Sequence, residues 1–347
     1  MASKEQPAVG IVSTGMYLPE NIVTAADIAE ESGIEEWVIR EKFGIIEKRM
    51  AGPDDQPNQM ALQATEDCLA KCNTSADEID LVLCTTEEWK EYINWTAGID
   101  LAYQIGASKA WAMDIHMRCC TTISALKTAK DMITADPEIK TVLIAGGYRA
   151  GDFINLKNLR TTFAFNIGAG AGAILVQRDW PENHILSSHL ITDGRLSRHI
   201  VVPASGTLQH PTDEAVAEGL FHLDAFDVDE MKDHLNKVSM DNWMFCIDEA
   251  LRKSGFKRDD LDFLNMILVK PSSYKDMLNR LGLTAAQGVY NDTYGHTGEQ
   301  DSIINIIEGQ KQGKLKNGDL MIIVAAGVGY VWGAMCVQWG QNQGGAK

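Results

Sequence analysis

Two stretches of this chain repeat one order of elements, and that repetition restricts the possible folds more than any other feature. In the first, an apolar-periodic helix over about residues 59–71 leads through the polar turn NTSADE to the strand IDLVLCTT. A helix ending YQIG, the strand KAWAMDIH, a helix opening at Cys119 and the strand KTVLIAGG follow. In the second, a helix over about residues 240–254 leads through KRDDLD to the strand FLNMILV. A helix ending NRLG, the strand GVYND, a helix opening near Thr297 and the strand DLMIIVAAG follow. Nearly continuous apolar strands between amphipathic helices predict mainly parallel sheets with helices on both faces. The repeat predicts an internally duplicated α/β protein, with one half over residues 1–178 and the other within 179–347. The stretch from Asp179 to Asp233 fits neither unit and reads as a crossover plus a surface cap. The tail GQNQGGAK reads as disordered.

Duplication has a geometric consequence. If the halves pack about a pseudo-twofold axis, equivalent positions meet beside it. Cys119 opens a helix in the first half, and His296 and Thr297 open its counterpart. Glu87 ends a strand in the first half, and Val269–Pro271 end the equivalent one. One pocket is therefore expected to gather Glu87, Cys119 and His296.

Composition narrows the classes of partner. The chain has 48 Asp+Glu against 31 Lys+Arg, a formal net charge of -17, which argues against a nucleic-acid binder. No stretch approaches the roughly 20 apolar residues of a membrane span, and the start MASKEQPAVG has no apolar signal core. The seven cysteines form no CxxC pair and are odd in number, as expected of reduced thiols in a cytoplasmic protein. No metal site is indicated. The run FNIGAGAGAILV lacks the GxGxxG spacing of a dinucleotide loop and reads as close backbone packing.

Cys119 follows a strand at a helix N-terminus, where exposed N–H groups and the helix dipole favour a thiolate. A thiolate there can take an acyl group from a thioester; two cysteines packed into a tight helix start is the alternative. Cys120 points elsewhere and reads as core. The turn in AAGVGYVWG, Gly327–Gly329, either supplies a backbone N–H, that of Val328, to an oxyanion, or is a tight strand-to-strand turn. Glu87 reads either as an acid/base at a strand end or as a solvated carboxylate, and Glu88 beside it leaves the register open.

Together these segments resemble the ketoacyl-synthase III branch of the thiolase superfamily. EEWVIREKFG resembles the family's Glu-Trp segment at the mouth of the coenzyme A tunnel, and MDIHMRCC the strand leading to the nucleophilic cysteine, here Cys119. GAGAGA resembles the Gly-rich GDGAGA element, HLITDG the strand after it, YGHTG the family's HGNTS, and VGYVWGAMCVQW the C-terminal turn and last strand. The resemblance implies a duplicated five-layer αβαβα thiolase fold and an acyl-enzyme on Cys119 formed from acyl-CoA or acyl-carrier thioesters, without a resident cofactor. It implies an oxyanion site from the Cys119 N–H and the Gly327, Val328, Gly329 turn, with coenzyme A contacts at Trp37 and Lys42; Arg40 reads as ordinary surface charge. It also implies a homodimer joined through the first half's sheets, to which the apolar FAFNIGAGAGAILV region is suited.

Two departures matter. The family places a histidine just after the second half's strand, where this chain has LVKPSSYK, so that Val269, Lys270 or Pro271 takes its place. The family then places an asparagine before Thr, where this chain has His296. The two donors that steady an enolate during decarboxylation are thus missing as a set, and one such donor is worth roughly 3–4 kcal/mol. His296 remains as a base for Cys119, and CTTEEW resembles the HMG-CoA synthase pattern in which a glutamate, here Glu87, acts as acid/base. The expected function is non-decarboxylative acyl transfer or an HMG-CoA-synthase-like carbon–carbon condensation. The alternative is a catalytically reduced subunit, assembled with a thiolase-type subunit and a zinc-ribbon/OB-fold protein.

Overall fold

The computed structural model describes residues 7–341; most of the tail GQNQGGAK lies outside them. Nine strands form one sheet in space: β1 Val9–Tyr17, β2 Leu81–Cys84, β3 Trp111–Asp114, β4 Thr141–Tyr148, β5 Gly170–Arg178, β6 Glu182–Thr192, β7 Phe263–Met266, β8 Leu320–Gly327 and β9 Val331–Gln341. Their order is β7-β8-β9-β6-β1-β5-β4-β2-β3. The order reads alike outward from the β1–β6 junction. β1 and β6 touch antiparallel at Gly10 and His184. β5 matches β9, β4 matches β8, and β2 matches β7. The predicted strand GVYND, which would match β3, is reduced to a bridge between Leu264 and Gly288.

The sheet is mixed, which corrects the expectation of mainly parallel pairing. β2 pairs parallel with β3 and β4, and β7 with β8. The remaining neighbours run antiparallel. The β8–β9 connection shows the cause: three residues, Val328–Tyr330, join them, and so short a link can return a strand only antiparallel.

Six main helices, α1 Pro57–Leu69, α2 Ala97–Gln104, α3 Thr121–Ala135, α4 Val228–Ser254, α5 Pro271–Leu281 and α6 Asp301–Lys311, make the other layers. Leu81 and Leu83 point to one face of β2 and Val82 to the other, and all three are buried. The first pair packs with α3 and α6 in a core that draws strands from both halves. Val82 packs with α1 and α2, and the second half's outer face packs under α4 and α5. The sheet's two halves, joined only at the β1–β6 contact, form two layers, and with the two outer helical layers and the shared middle helices they make the five-layer arrangement. Each fully buried Ile or Leu of the middle layer, such as Ile123 or Ile303, contributes about 1.5–3 kcal/mol.

Three boundaries differ from the sequence reading. β6 is a central strand, so only the part after it, with the short pair Ile200–Val201 and Asp224–Ala225 and the helix Asp213–Ala217, forms a cap. α4 begins at Val228, well before the expected position. The helix after β3 starts at Thr121 and not at Cys119. Cys120 is its N-cap and Arg118 has φ 52°, so Cys119 sits in a tight turn just before the helix. The glycine run also takes its explanation here. A Cβ on Gly172 would lie 2.8 Å from Ile303, and one on Gly170 3.0 Å from Thr297. These glycines let α6 and the residues before it approach the first half's sheet. β5 lies inside the sheet, so its apolar run is interior and is not an interface surface. Among the described residues no helix is long and apolar enough to cross a membrane.

Candidate active site

Residues before both middle helices, α3 and α6, converge on one cavity of about 500 Å³. Glu87, Cys119, His296, Gly327 and Val328 line it. The turn carrying Cys119 is pinned by Thr121, whose hydroxyl accepts the Met117 N–H (2.6 Å) and donates to the Arg118 carbonyl (2.6 Å). The turn carrying His296 is tied to the first half through its backbone. His296 N–H donates to Asn166 (2.7 Å) and its carbonyl accepts from Gly168 N–H (2.9 Å). Thr122 Oγ1 donates to the Glu299 carbonyl (2.7 Å).

These ties place Cys119 Sγ 3.1 Å from His296 Nε2. On the far side of the ring, Nδ1 lies 2.6 Å from Asp301 Oδ2. Asp301 also accepts from Leu268 N–H (2.8 Å) and from Thr297 N–H and Oγ1–H (2.7 Å each). The carboxylate thus holds Nδ1 as the donor and turns Nε2 to the sulfur, the orienting role of the acid in a nucleophile–base–acid chain. Burial alone would lower the His296 pKa. The Asp301 charge, then Cys119, outweigh it and hold it well above the ordinary imidazole value. Burial works against Asp301 as well, but the His296 charge and the hydrogen bonds it accepts keep its pKa below the usual carboxylate value.

Glu87 is nearly enclosed. Burial, then the Glu88 charge, push its pKa up to about 7, against the pull of Arg118. Arg118 Nη1 is 3.6 Å from Glu87 Oε2 and forms an ion pair with Glu88. Glu87 therefore exchanges protons near neutrality, and the structure separates it from Glu88, whose side chain is 55% exposed. Gly327 packs against the nucleophile's backbone, since a Cβ there would lie 3.1 Å from Cys119 N and 2.6 Å from Arg118 Cβ. Val328 follows on the wall. Gly329 does not line the cavity.

The coenzyme A candidates lie outside the cavity. Trp37 is 53% exposed, and Lys42 Nζ stands 5.8 Å over its ring. Arg40 pairs with Glu36 at 2.6 Å. From this segment Phe43 and Ile45 reach the wall. Where the family has its histidine, Val269 and Lys270 line the cavity. Among the described residues the cysteines are unpaired, and Cys120 is buried as expected. Burial pushes the Cys68, Cys84, Cys246 and Cys336 thiols up to about 12.

Asp301, Tyr148, Arg118 and Glu299 are not among the residues that the sequence alone singles out. Asp301 had one signal, a carboxylate five residues after His296 at a helix start, but it reads there as an ordinary first-turn acid.

Residues 113–194 match the family described as 3-oxoacyl-[acyl-carrier-protein (ACP)] synthase III, and residues 251–339 match its C-terminal part. The beta-ketoacyl-[acyl-carrier-protein] synthase III of Caldanaerobacter subterraneus is 30% identical over 336 residues, 96% of this chain and 99% of that protein. The chain belongs to the 3-oxoacyl-ACP synthase III family. The family's enzyme from Symbiobacterium thermophilum is 29% identical over 96% of this chain and 98% of its own length. The crystal structure of the Aquifex aeolicus 3-oxoacyl-ACP synthase III aligns with a TM-score of 0.79 and 26% identity, covering 95% of this chain and 100% of that one. Thiolase-fold membership is thereby established, and synthase III proteins are acyltransferases that condense acyl thioesters. Within that family this chain carries His296 with Asp301 behind it, and no histidine at 269–271.

Proposed function

We propose that this chain joins acyl units from acyl-CoA or acyl-carrier thioesters through an acyl-enzyme on Cys119, by a non-decarboxylative route. The observation that carries the reading is the unbroken Cys119–His296–Asp301 chain in a cavity shared with Glu87. His296 Nε2 takes the thiol proton. The sulfur attacks the thioester carbonyl, and the departing thiol regains a proton from His296. The Cys119 N–H and the Gly327–Val328 turn, which Gly327 holds against the nucleophile's backbone, steady the oxyanion. Glu87 as carboxylate then removes an α-proton from an acyl thioester. The resulting enolate carbon attacks a second carbonyl, in the manner of an HMG-CoA synthase, the alkoxide regains a proton from Glu87, and water then hydrolyses the product's thioester bond to Cys119, which regains its thiol proton. The absent family histidine supports a route that does not expel carbon dioxide.

Lys232, Asn236 and Ser239 recur along one face of α4, opposite Lys270 and Ser273, on the cavity wall. They suit the amides and phosphates of a pantetheine arm, with Trp37 and Lys42 at the rim. Two copies of the chain are proposed to meet at β3, the sheet's edge. Trp111 on that strand and Ile99 and Tyr103 on α2 are exposed, an apolar edge that a second copy would cover. The unpaired thiols suit the cytoplasm.

The test is intact-mass analysis of the purified chain with short and medium acyl-CoAs. An adduct on Cys119, lost in C119S, is expected. No adduct, with a thiolase-type and a zinc-ribbon/OB-fold protein co-purifying, would replace this reading with that of a catalytically reduced subunit.

A further inference from the structure

An enolate formed in this cavity needs a hydrogen-bond donor, and the side-chain donors that touch Cys119 and Glu87 are engaged elsewhere. Arg118 is paired with Glu88 and Glu87. His296 faces sulfur on one side and Asp301 on the other. The Thr121 hydroxyl donates to a backbone carbonyl. Elsewhere on the wall, Trp89 Nε1 donates to Asp152, Trp243 Nε1 to the Ala325 carbonyl, and Asn166 Nδ2 to the Leu268 carbonyl.

Tyr148 differs from all of these. It is the last residue of β4, 8% exposed, and lines the cavity. Its hydroxyl has no hydrogen-bond partner among the described residues. The ring is held in place. It lies against Gly298, where a Cβ would come 2.5 Å from its Cδ2, and its centroid is 6.3 Å from that of His296. Gly298, at φ 64°, belongs to the same turn as His296, so the backbone that positions the base also seats the phenol.

Resting on the proposed condensing function, we infer that Tyr148 is a further catalytic residue, whose hydroxyl donates a hydrogen bond to the enolate oxygen formed when Glu87 removes the α-proton of an acyl thioester. The C–H pair becomes the enolate, the proton goes to the Glu87 carboxylate, and Tyr148 keeps its own proton throughout. Its electrostatics suit a donor that stays neutral. Burial, then the charges of Cys119, Glu87, Glu299 and Asp301, hold the phenol well above its ordinary value. A neutral O–H in a water-poor site is the form that stabilises an oxyanion without reorganisation. A tyrosine here answers the histidine missing at 269–271.

The test needs no knowledge of the acceptor. Wild type and Y148F are incubated with acetyl-, butyryl- and octanoyl-CoA in D₂O. Deuterium entering the α-carbon is followed by mass spectrometry, and exchange is divided by the Cys119 adduct formed. Y148F keeps the ring over Gly298, and its melting temperature is compared with wild type. Exchange per loaded enzyme is expected to fall about 10²–10³-fold in Y148F, the range for losing one oxyanion donor. Equal exchange in the two proteins would overturn the inference. So would wild-type loading without exchange, since no enolate would then form. Failure of the wild type to load any of the thioesters would overturn the function on which the inference rests. A fall that accompanies a loss of melting temperature in Y148F, and that disappears when exchange is measured at a temperature where both proteins are fully folded, would assign Tyr148 to structure alone.

Discussion

Replacing Asp301 by asparagine tests whether the carboxylate sets which nitrogen of His296 faces the sulfur. Asp301 accepts four hydrogen bonds, from His296 Nδ1, Leu268 N–H, and Thr297 N–H and Oγ1–H. An asparagine has one oxygen for these donors. If that oxygen keeps both Thr297 donors, the amide nitrogen faces Leu268 N–H and His296 Nδ1. The Leu268 N–H then loses its acceptor, at a cost of about 1–3 kcal/mol. Nδ1 must become the acceptor, which sends the ring proton to Nε2, opposite Sγ, where it blocks the base. Loss of a general base costs about 10²–10⁴ in rate, or roughly 3–5 kcal/mol in the barrier. The assay is the pseudo-first-order alkylation of Cys119 by iodoacetamide at neutral pH, followed by peptide mass. A second readout is the pH dependence of thermal stability. His296 has a folded value above its unfolded 6.5, so its contribution to stability is complete below 6.5 and is lost as pH rises through the folded value. Asp301 has a folded value below 3.8, so its contribution is present above 3.8 and is lost as pH falls through the folded value. D301N should therefore flatten the alkaline loss of stability as well as slow alkylation. A folded D301N that alkylates within about threefold of wild type, a gap far below the range for a lost base, would refute the assignment of Asp301 as the positioning acid.

Glu87, at about 7 with the Glu88 charge and burial raising it, should give α-proton exchange that climbs with pH and levels off above about 7, because the carboxylate is the base; E87Q should abolish that limb, and a wild-type profile flat across neutrality would exclude Glu87 from proton abstraction. The same raised value sits above the unfolded 4.5, so this group's contribution to stability is full below 4.5 and declines as pH rises through about 7. At the sheet edge, W111E places a charge on the exposed face of β3, and analytical ultracentrifugation should show a dimer for the wild type and a monomer for W111E; a wild-type monomer, or a dimer unchanged by W111E, would refute the proposed interface at this edge.

The element order was legible because each half buries both faces of its strands, and that leaves long apolar runs between helices. What was not legible is where those runs turn. β6 is hard to tell from a crossover because nearly all its residues are only half-buried and its polar residues break up any continuous apolar run. Pairing direction is not legible for a similar reason, since antiparallel β4–β5 and β8–β9 are apolar strands like their parallel neighbours. The sequence puts Cys119 on the helix because only Cys120 separates it from Thr121, and nothing in the chemistry of either cysteine marks a turn.

The site divides along the same line. Glu87, Cys119 and His296 could be brought together on paper because each stands at an equivalent end of a repeated element. Asp301 and Tyr148 could not, because what each does depends on contacts with other elements that only folding brings together. Asp301 is a first-turn acid until Leu268 N–H and His296 close on it. Tyr148 ends an apolar strand until Gly298 seats its ring. The departures from the family pattern are linked through these contacts. An imidazole in place of the family's asparagine needs a carboxylate behind it to face the sulfur as a base, and Asp301 stands there. Once His296 serves the sulfur and position 269 carries no histidine, any oxygen on a second substrate needs another donor, and the Tyr148 hydroxyl, whose ring lies beside His296 on the cavity wall, can supply it. The three positions therefore make chemical sense together: restoring an asparagine at 296 alone would leave the buried Asp301 without its cationic partner, which for a broken buried pair costs about 3–5 kcal/mol, so a single reversion toward the family pattern should destabilise the chain without returning the decarboxylating chemistry.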